Sequence, residues 1–255
     1  MGFIYINPII YKLYRLKIMR KITTRFLLTT ACFTGQVVFA QASLENIATR
    51  SFEEIKLKKD NIKYKAYLPK NYVLFEAIEG DLNKDGKQDL VLIIKGTDAK
   101  QWVDHEYQGK LDRNRRGILV FLNENGTYKK LAQNLSAFSS ENEEGGVYFS
   151  PELSVEINKN KLFIHYGHGR YGWWSYSFRL ENNDMRLIGY ENSNNYGPYV
   201  SSETSINLLT GKKLYRKNMN EVGDEDPRFK EIWSKVNLEP IYLSKIKDFD
   251  ELMME

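Results

Sequence analysis

The sequence predicts an all-β protein, mainly an antiparallel meander in a propeller-like or sandwich build, with one or two short helices near the termini. Three observations predict it. Runs rich in β-branched and aromatic residues are short, as in Leu90-Val91-Leu92-Ile93-Ile94. They alternate with tight-turn signals such as Asn125-Gly126, Asn182-Asn183-Asp184 and Thr210-Gly211. Strands joined so closely pair antiparallel with their neighbours, because a parallel return needs a long crossover.

In chain order, residues 43–58 are polar with scattered apolar positions, so residues 41–62 read as a linker or a short helix. A β domain follows over residues 63–245, with residues 246–255 as a C-terminal tail. Its first strand candidates are Tyr72 to Ile78 and Leu90 to Ile94. Gly117 to Leu122 leads into Asn125-Gly126 and returns through Thr127 to Leu131. Asn-Gly between such runs marks a hairpin, since both central residues of its turn take positive φ. The pattern recurs where Trp174 to Leu180 turns at Asn182-Asn183 into Met185 to Tyr190, and where Ile206 to Leu209 turns at Thr210-Gly211 into Lys213 to Tyr215. Residues 121–131 and 178–189 echo one another as strand, polar turn and strand, which is the hint of a propeller-like repeat. Near the end, Asp226 as cap, Pro227 in a first turn, and Phe229, Ile232, Trp233 and Val236 at helical spacing predict a helix.

Charge is unevenly placed. The chain of 255 residues carries 37 basic and 33 acidic residues, and six of the basic ones (Lys12, Arg15, Lys17, Arg20, Lys21, Arg25) lie in residues 1–40, which hold no acid. Without them the balance is 31 to 33, a net of −2, so the basic character gives no support to a nucleic-acid partner. Residues 1–40 have the layout of a signal peptide: Met19-Arg20-Lys21, an apolar run from Phe26, then Val38-Phe39-Ala40 before Gln41. Met19 is an alternative start, and Arg25 leaves the apolar run short for a membrane span. An uncleaved signal acting as a membrane anchor is the second reading, and the expected location is periplasmic or secreted. Thr29-Thr30-Ala31 is a poor lipidation context for Cys32, the single cysteine. Cleavage after Ala40 removes that cysteine, leaving a mature chain without disulfides, thiol nucleophiles or thiolate metal ligands.

Residues 81–89 carry the most specific motif. Asp81, Asn83, Asp85 and Asp89 occupy positions 1, 3, 5 and 9 of a loop whose position 6 is Gly86. Alternate side chains of such a loop point inward, the Lys87 carbonyl adds an oxygen, and clustered carboxylates need a counter-cation. The pattern implies Ca2+ held by Asp81, Asn83, Asp85, Lys87 and Asp89, against the plainer reading of a polar turn. Position 12 is Leu92, and a strand follows at once, unlike an EF-hand. Over roughly residues 72–96 the stretch resembles the calcium loops of FG-GAP repeats in integrin-type propellers and related secreted bacterial proteins. That resemblance implies a structural ion between two strands.

Ile164 to Tyr176 is dense in aromatic residues and glycine and includes His165 and His168. Those histidines could serve as metal ligands or as a catalytic base, but three residues apart on a strand they face opposite ways, and no nucleophile motif accompanies them. A hairpin with part of its aromatic cluster exposed is the favoured reading. Tyr166, Arg170, Tyr171 and Trp173 here, with Tyr196 and Tyr199 of the 193–199 loop, are the candidate partner contacts, since Tyr, Trp and Arg dominate protein hot spots. The acidic loop from Ser139 to Gly146 reads as a solvated connection.

The order of signal, calcium loop, meander and aromatic hairpin resembles periplasmic β proteins of the I-type lysozyme-inhibitor kind, including immunity proteins that block peptidoglycan-cleaving effectors. The resemblance implies a non-enzymatic module that binds an envelope or effector protein, such as a peptidoglycan hydrolase. The S-G-x-x-Y string of those inhibitors does not occur; Gly169-Arg170-Tyr171 and Ser193 to Tyr199 are its loose substitutes. A calcium-stabilised structural envelope protein and a secreted hydrolase are the alternatives.

Overall fold

The computed structural model describes residues 49, 52–142, 152–220, 227–252 and 254; the leader with Cys32, Glu143 to Gly146 of the acidic loop and Asp226 lie outside them. The described residues are all-β apart from one short helix and a few 3-10 turns. Helix α1 covers residues 52–64 and runs into a 3-10 turn at Lys65–Tyr67, resolving the linker-or-helix question over its second half.

Strands β1 (Tyr72–Gly80), β2 (Asp89–Gly96), β5 (Arg116–Glu124) and β6 (Thr127–Phe138) form an antiparallel sheet in the order β1-β2-β5-β6, with β3 (Trp102–His105) and β4 (Gly109–Asp112) as a separate hairpin between β2 and β5. β2 is central. Leu90, Leu92 and Ile94 on one face and Val91 and Ile93 on the other are all fully buried, as an unbroken apolar run requires when both faces are covered. The first face packs with Tyr64, Leu74, Leu119 and Phe121 under the helix end. There Tyr67 meets the Phe121 ring edge-on at 5.3 Å.

The second face packs on a larger sheet. β7 (Glu152–Asn158), β8 (Lys161–Gly167), β9 (Gly172–Glu181), β10 (Asp184–Tyr196), β11 (Tyr199–Asn207), β12 (Lys212–Asn218) and β13 (Phe229–Lys235) follow one another in a seven-stranded meander. Val91, Ile93, Ile118 and Val120 share one core with Leu162, Ile164, Tyr176, Phe178 and Leu187. The two sheets approach closely at Gly80, where an added Cβ would lie 2.6 Å from the Ile157 side chain. The build is therefore a sandwich. The echoing hairpins β5–β6 and β9–β10 belong to different sheets, so they are not blades of a propeller. Their turns are as expected, with φ of 54° and 89° at Asn125 and Gly126, and 55° and 58° at Asn182 and Asn183.

Two expectations are corrected. Phe229 to Lys235 is not a helix but the edge strand β13, paired along its length with β12. Ile232 and Trp233 point to opposite faces there and stay 42% and 57% exposed, so their helical spacing reports no buried stripe. Residues 246–255 are also no loose tail. Leu243, Ile246, Phe249 and Met254 enter the shared core. Phe249 stacks on Phe138 at 4.9 Å, its amide bonds to the Ala137 carbonyl at 3.0 Å, and Leu187 N–H donates to Ile241 at 2.8 Å. This closing segment thus ties β6 of one sheet to β10 of the other.

Candidate functional site

The loop between β1 and β2 is wound tightly by positive φ at Lys84 (70°) and Gly86 (79°). These turns aim its amides inward. Asp81 accepts from the Lys84 and Gly86 amides at 2.6 and 3.1 Å, Asn83 from Asp85 at 3.0 Å, and Asp85 from Lys87 at 2.8 Å. The Lys87 amide and the Asn83 side chain hold the Asp85 carboxyl below the usual range. Asp89 stands apart. It is fully buried, and its two oxygens accept from the Leu82 amide at 2.7 Å and the Asn123 amide at 2.8 Å, bolting the loop base to the β5–β6 hairpin. Among the described residues no group of three or more His, Cys, Asp or Glu is gathered as a metal centre would need. The donor set that remains for a hard cation is Asp81, Asn83, Asp85 and the Lys87 carbonyl, all oxygen, with Asp89 as a brace.

The aromatic candidates divide. Tyr166 is not a surface contact: it is 1% exposed, since Leu162, Ile164 and Tyr166 share the core-facing side of β8. Its ring stacks on Trp174 at 4.7 Å, and its hydroxyl meets Ser139 and the Arg116 guanidinium, the latter at 3.1 Å. Arg116 itself is 2% exposed, donates to the Ser139 carbonyl at 3.0 Å and lies over the Phe75 ring, so it links β5 to β8 through the core. Tyr199 is half-buried and donates its hydroxyl to the Asn220 carbonyl at 2.8 Å.

Arg170, Tyr171, Trp173 and Tyr196 are brought together. Between β8 and β9 the chain makes a 3-10 turn at Gly169–Tyr171, and the Gly197 amide of the β10–β11 turn donates to the Arg170 carbonyl at 3.0 Å. Gly172 permits the junction: at φ 107° its Cα lies so close to β10 that a Cβ would sit 1.8 Å from the Ser193 carbonyl oxygen. Tyr171 and Tyr196 are 41% and 71% exposed at this end of the sheet.

Beside them opens a cleft of about 270 Å³ lined by His168, Tyr171, Trp173, Trp174, Asn192, Ser193, Asn194 and Asp250. His165 is not among these residues; it stands exposed on the other face of the sheet, its ring 5.3 Å from that of Trp173. Burial holds His168 below the usual imidazole range, against the pull of Asp250. Asp250 reaches solvent at the rim, yet burial against the wall and the neighbouring Asp248 lift its carboxyl. Sequence reasoning passed over Trp174, Asn192 and Asp250. Only the aromatic density of 164–176 signalled the place, and nothing local ties residue 250 to it.

No family model matches the chain, and no curated protein matches it. The solved structure of a Xanthomonas type IV secretion system related protein aligns at 18% identity and a TM-score of 0.27, over 61% of this chain and 57% of that one. This chain therefore spans little more than half the length of that protein, and so loose a superposition leaves function to the chain's own residues.

Proposed function

We propose that the protein is an exported, non-enzymatic binding module that docks a protein partner, a peptidoglycan hydrolase of the envelope, through the end of the seven-stranded sheet. The observation that carries this reading is the junction of the Gly169–Tyr171 turn with the β10–β11 turn, which sets Arg170, Tyr171, Trp173 and Tyr196 side by side from two separate stretches of chain. Exposed Tyr171 and Tyr196 beside half-buried Trp173, on a rigid frame, supply contact area at low entropic cost. No helix among the described residues is long and apolar enough to cross a membrane. The loop at 81–89 takes calcium through Asp81, Asn83, Asp85 and the Lys87 carbonyl, and the ion stiffens the β1–β2 connection without taking part in docking.

Two measurements test this. Purified protein should slow peptidoglycan clearance by lysozyme-type hydrolases, and Tyr171→Ala with Tyr196→Ala should abolish the inhibition while leaving the melting curve in place. An inhibitor-free result across goose-type, chicken-type and invertebrate-type lysozymes argues against the hydrolase partner. Calcium at millimolar concentration should raise Tm, since extracellular modules bind at about 10⁻⁴–10⁻³ M. Asp85→Ala should remove that rise; identical melting in calcium and in chelator sinks the ion.

A further inference from the structure

From the cleft beside Tyr171 we infer that the docking surface carries a socket for a cationic side chain, a partner's arginine, seated against the Tyr171 ring with its guanidinium on Asp250. The inference rests on the docking reading above and names the chemistry of its central contact.

The first argument is charge. Asp250 has no ion-pair partner among the described residues, whereas its neighbour Asp248 is held by Arg115 at 2.6 Å. None of the residues lining the cleft is Lys or Arg. His168, kept neutral by burial, adds no opposing charge at neutral pH. A carboxylate packed against apolar rings gains most from a counter-ion that arrives with its partner.

The second argument is the balance of donors and acceptors. Two donors of the cleft are committed. Ser193 Oγ donates to Asn195 Oδ1 at 2.7 Å, and Asn194 Nδ2 donates to Ser202 Oγ at 3.2 Å. Among the acceptors, Asn192 Oδ1 is buried with no partner among the described residues, and the Asp250 carboxylate, which takes a hydrogen bond from Ser139, lines the cleft at its solvent-reaching rim. Guanidinium, with five N–H donors and no acceptor, can serve both oxygens of such a carboxylate at once.

The third argument is shape. Trp174 is fixed between Tyr166, stacked at 4.7 Å, and Phe249, stacked at 5.8 Å, so it is a rigid wall; Tyr171, 41% exposed, stands at the mouth. A planar guanidinium stacks on an open aromatic face such as that of Tyr171. The volume of about 270 Å³ lies just below the ~300–1,000 Å³ of small-molecule sites and suits the end of one long side chain.

The experiment titrates the full-length mature protein with acetyl-Gly-Arg-Gly-amide, following fluorescence of Trp173 and Trp174, with the citrulline peptide and N,N′-diacetylchitobiose as controls. The expected result is saturation by the arginine peptide on the order of millimolar and roughly tenfold weaker binding of the isosteric citrulline peptide. Asp250→Asn, at the solvent-reaching rim, should remove that difference without moving the melting curve. Equal response to arginine and citrulline, no response to either, or saturation by the disaccharide alone overturns the socket. Should a hydrolase be inhibited equally by wild type and Asp250→Asn, the socket fails and the docking reading stands. Arginine binding with no hydrolase inhibited keeps the socket and removes the hydrolase.

Discussion

Replacing Asp89 separates a bolt from a ligand. Asp89→Ala deletes the acceptor of two backbone amides, Leu82 at 2.7 Å and Asn123 at 2.8 Å, at a fully buried carboxylate. Water cannot reach the Leu82 amide to compensate. A hydrogen bond to a charged group contributes about 1.5–3 kcal/mol, and a buried donor left unsatisfied costs about 1–3 kcal/mol. The Leu82 amide is wholly buried and the Asn123 amide partly so, which puts the loss at about 4 kcal/mol, a large share of a typical stability of ~5–15 kcal/mol. For a domain of this size that is on the order of 8–16 °C in Tm. Asp89→Asn keeps one acceptor oxygen and turns an NH2 toward the second amide, so it should recover less than half. The assay is urea unfolding followed by tryptophan fluorescence, in chelator and in calcium. The loss should be equal in both. A cost below about 1 kcal/mol in chelator, or a cost appearing only with calcium, refutes the bolt and returns Asp89 to the ion.

Two further outcomes follow from the geometry. Gly172→Ala would drive a Cβ to 1.8 Å from the Ser193 carbonyl oxygen, so the β9–β10 junction must open. The expected cost is at least ~3 kcal/mol, the docking surface is lost with it, and near-wild-type denaturation midpoints would show the strands meet differently. At Glu79, hydrogen bonds from Lys63, at 2.6 Å, and from Tyr64 hold the carboxyl below its usual range. A folded-state pKa depressed in this way adds stability that is complete above the unfolded value of about 4.3 and is lost as pH falls through the folded value. Glu79→Gln should therefore flatten the fall in stability below about pH 4.5 and change little of its slope at neutral pH; an unchanged acid limb removes the link.

Much of the fold was legible because local chemistry and tertiary position agree. Leu90 to Ile94 reads as a strand and lies within β2, and the Asn125-Gly126 and Asn182-Asn183 turns lie where the residues that tolerate positive φ stand. The failures share one cause. At β13 the spacing of Phe229, Ile232 and Trp233 fits a helix, and only pairing with β12, itself set by the preceding meander, decides for a strand. For Asp89, read as a ligand from the loop spacing, the Asn123 amide that it also accepts from arrives 34 residues later, beyond the reach of any loop motif. Tyr166 looked exposed by composition, yet alternation along β8 puts it with Leu162 and Ile164. Asp250 came to the cleft through the packing of Phe249, a contact between distant parts of the chain that no short motif encodes.

The segment running from Ile241 to Met254 has a consequence for the order of assembly. The seven-stranded meander can zip up from neighbour to neighbour, with little loop entropy to overcome at each step. The latch cannot: Asn134 reaches the Leu243 carbonyl across 109 positions, and Arg115 reaches Asp248 across 133. During synthesis the two sheets would therefore wait, their facing sides wet, until this late stretch arrives.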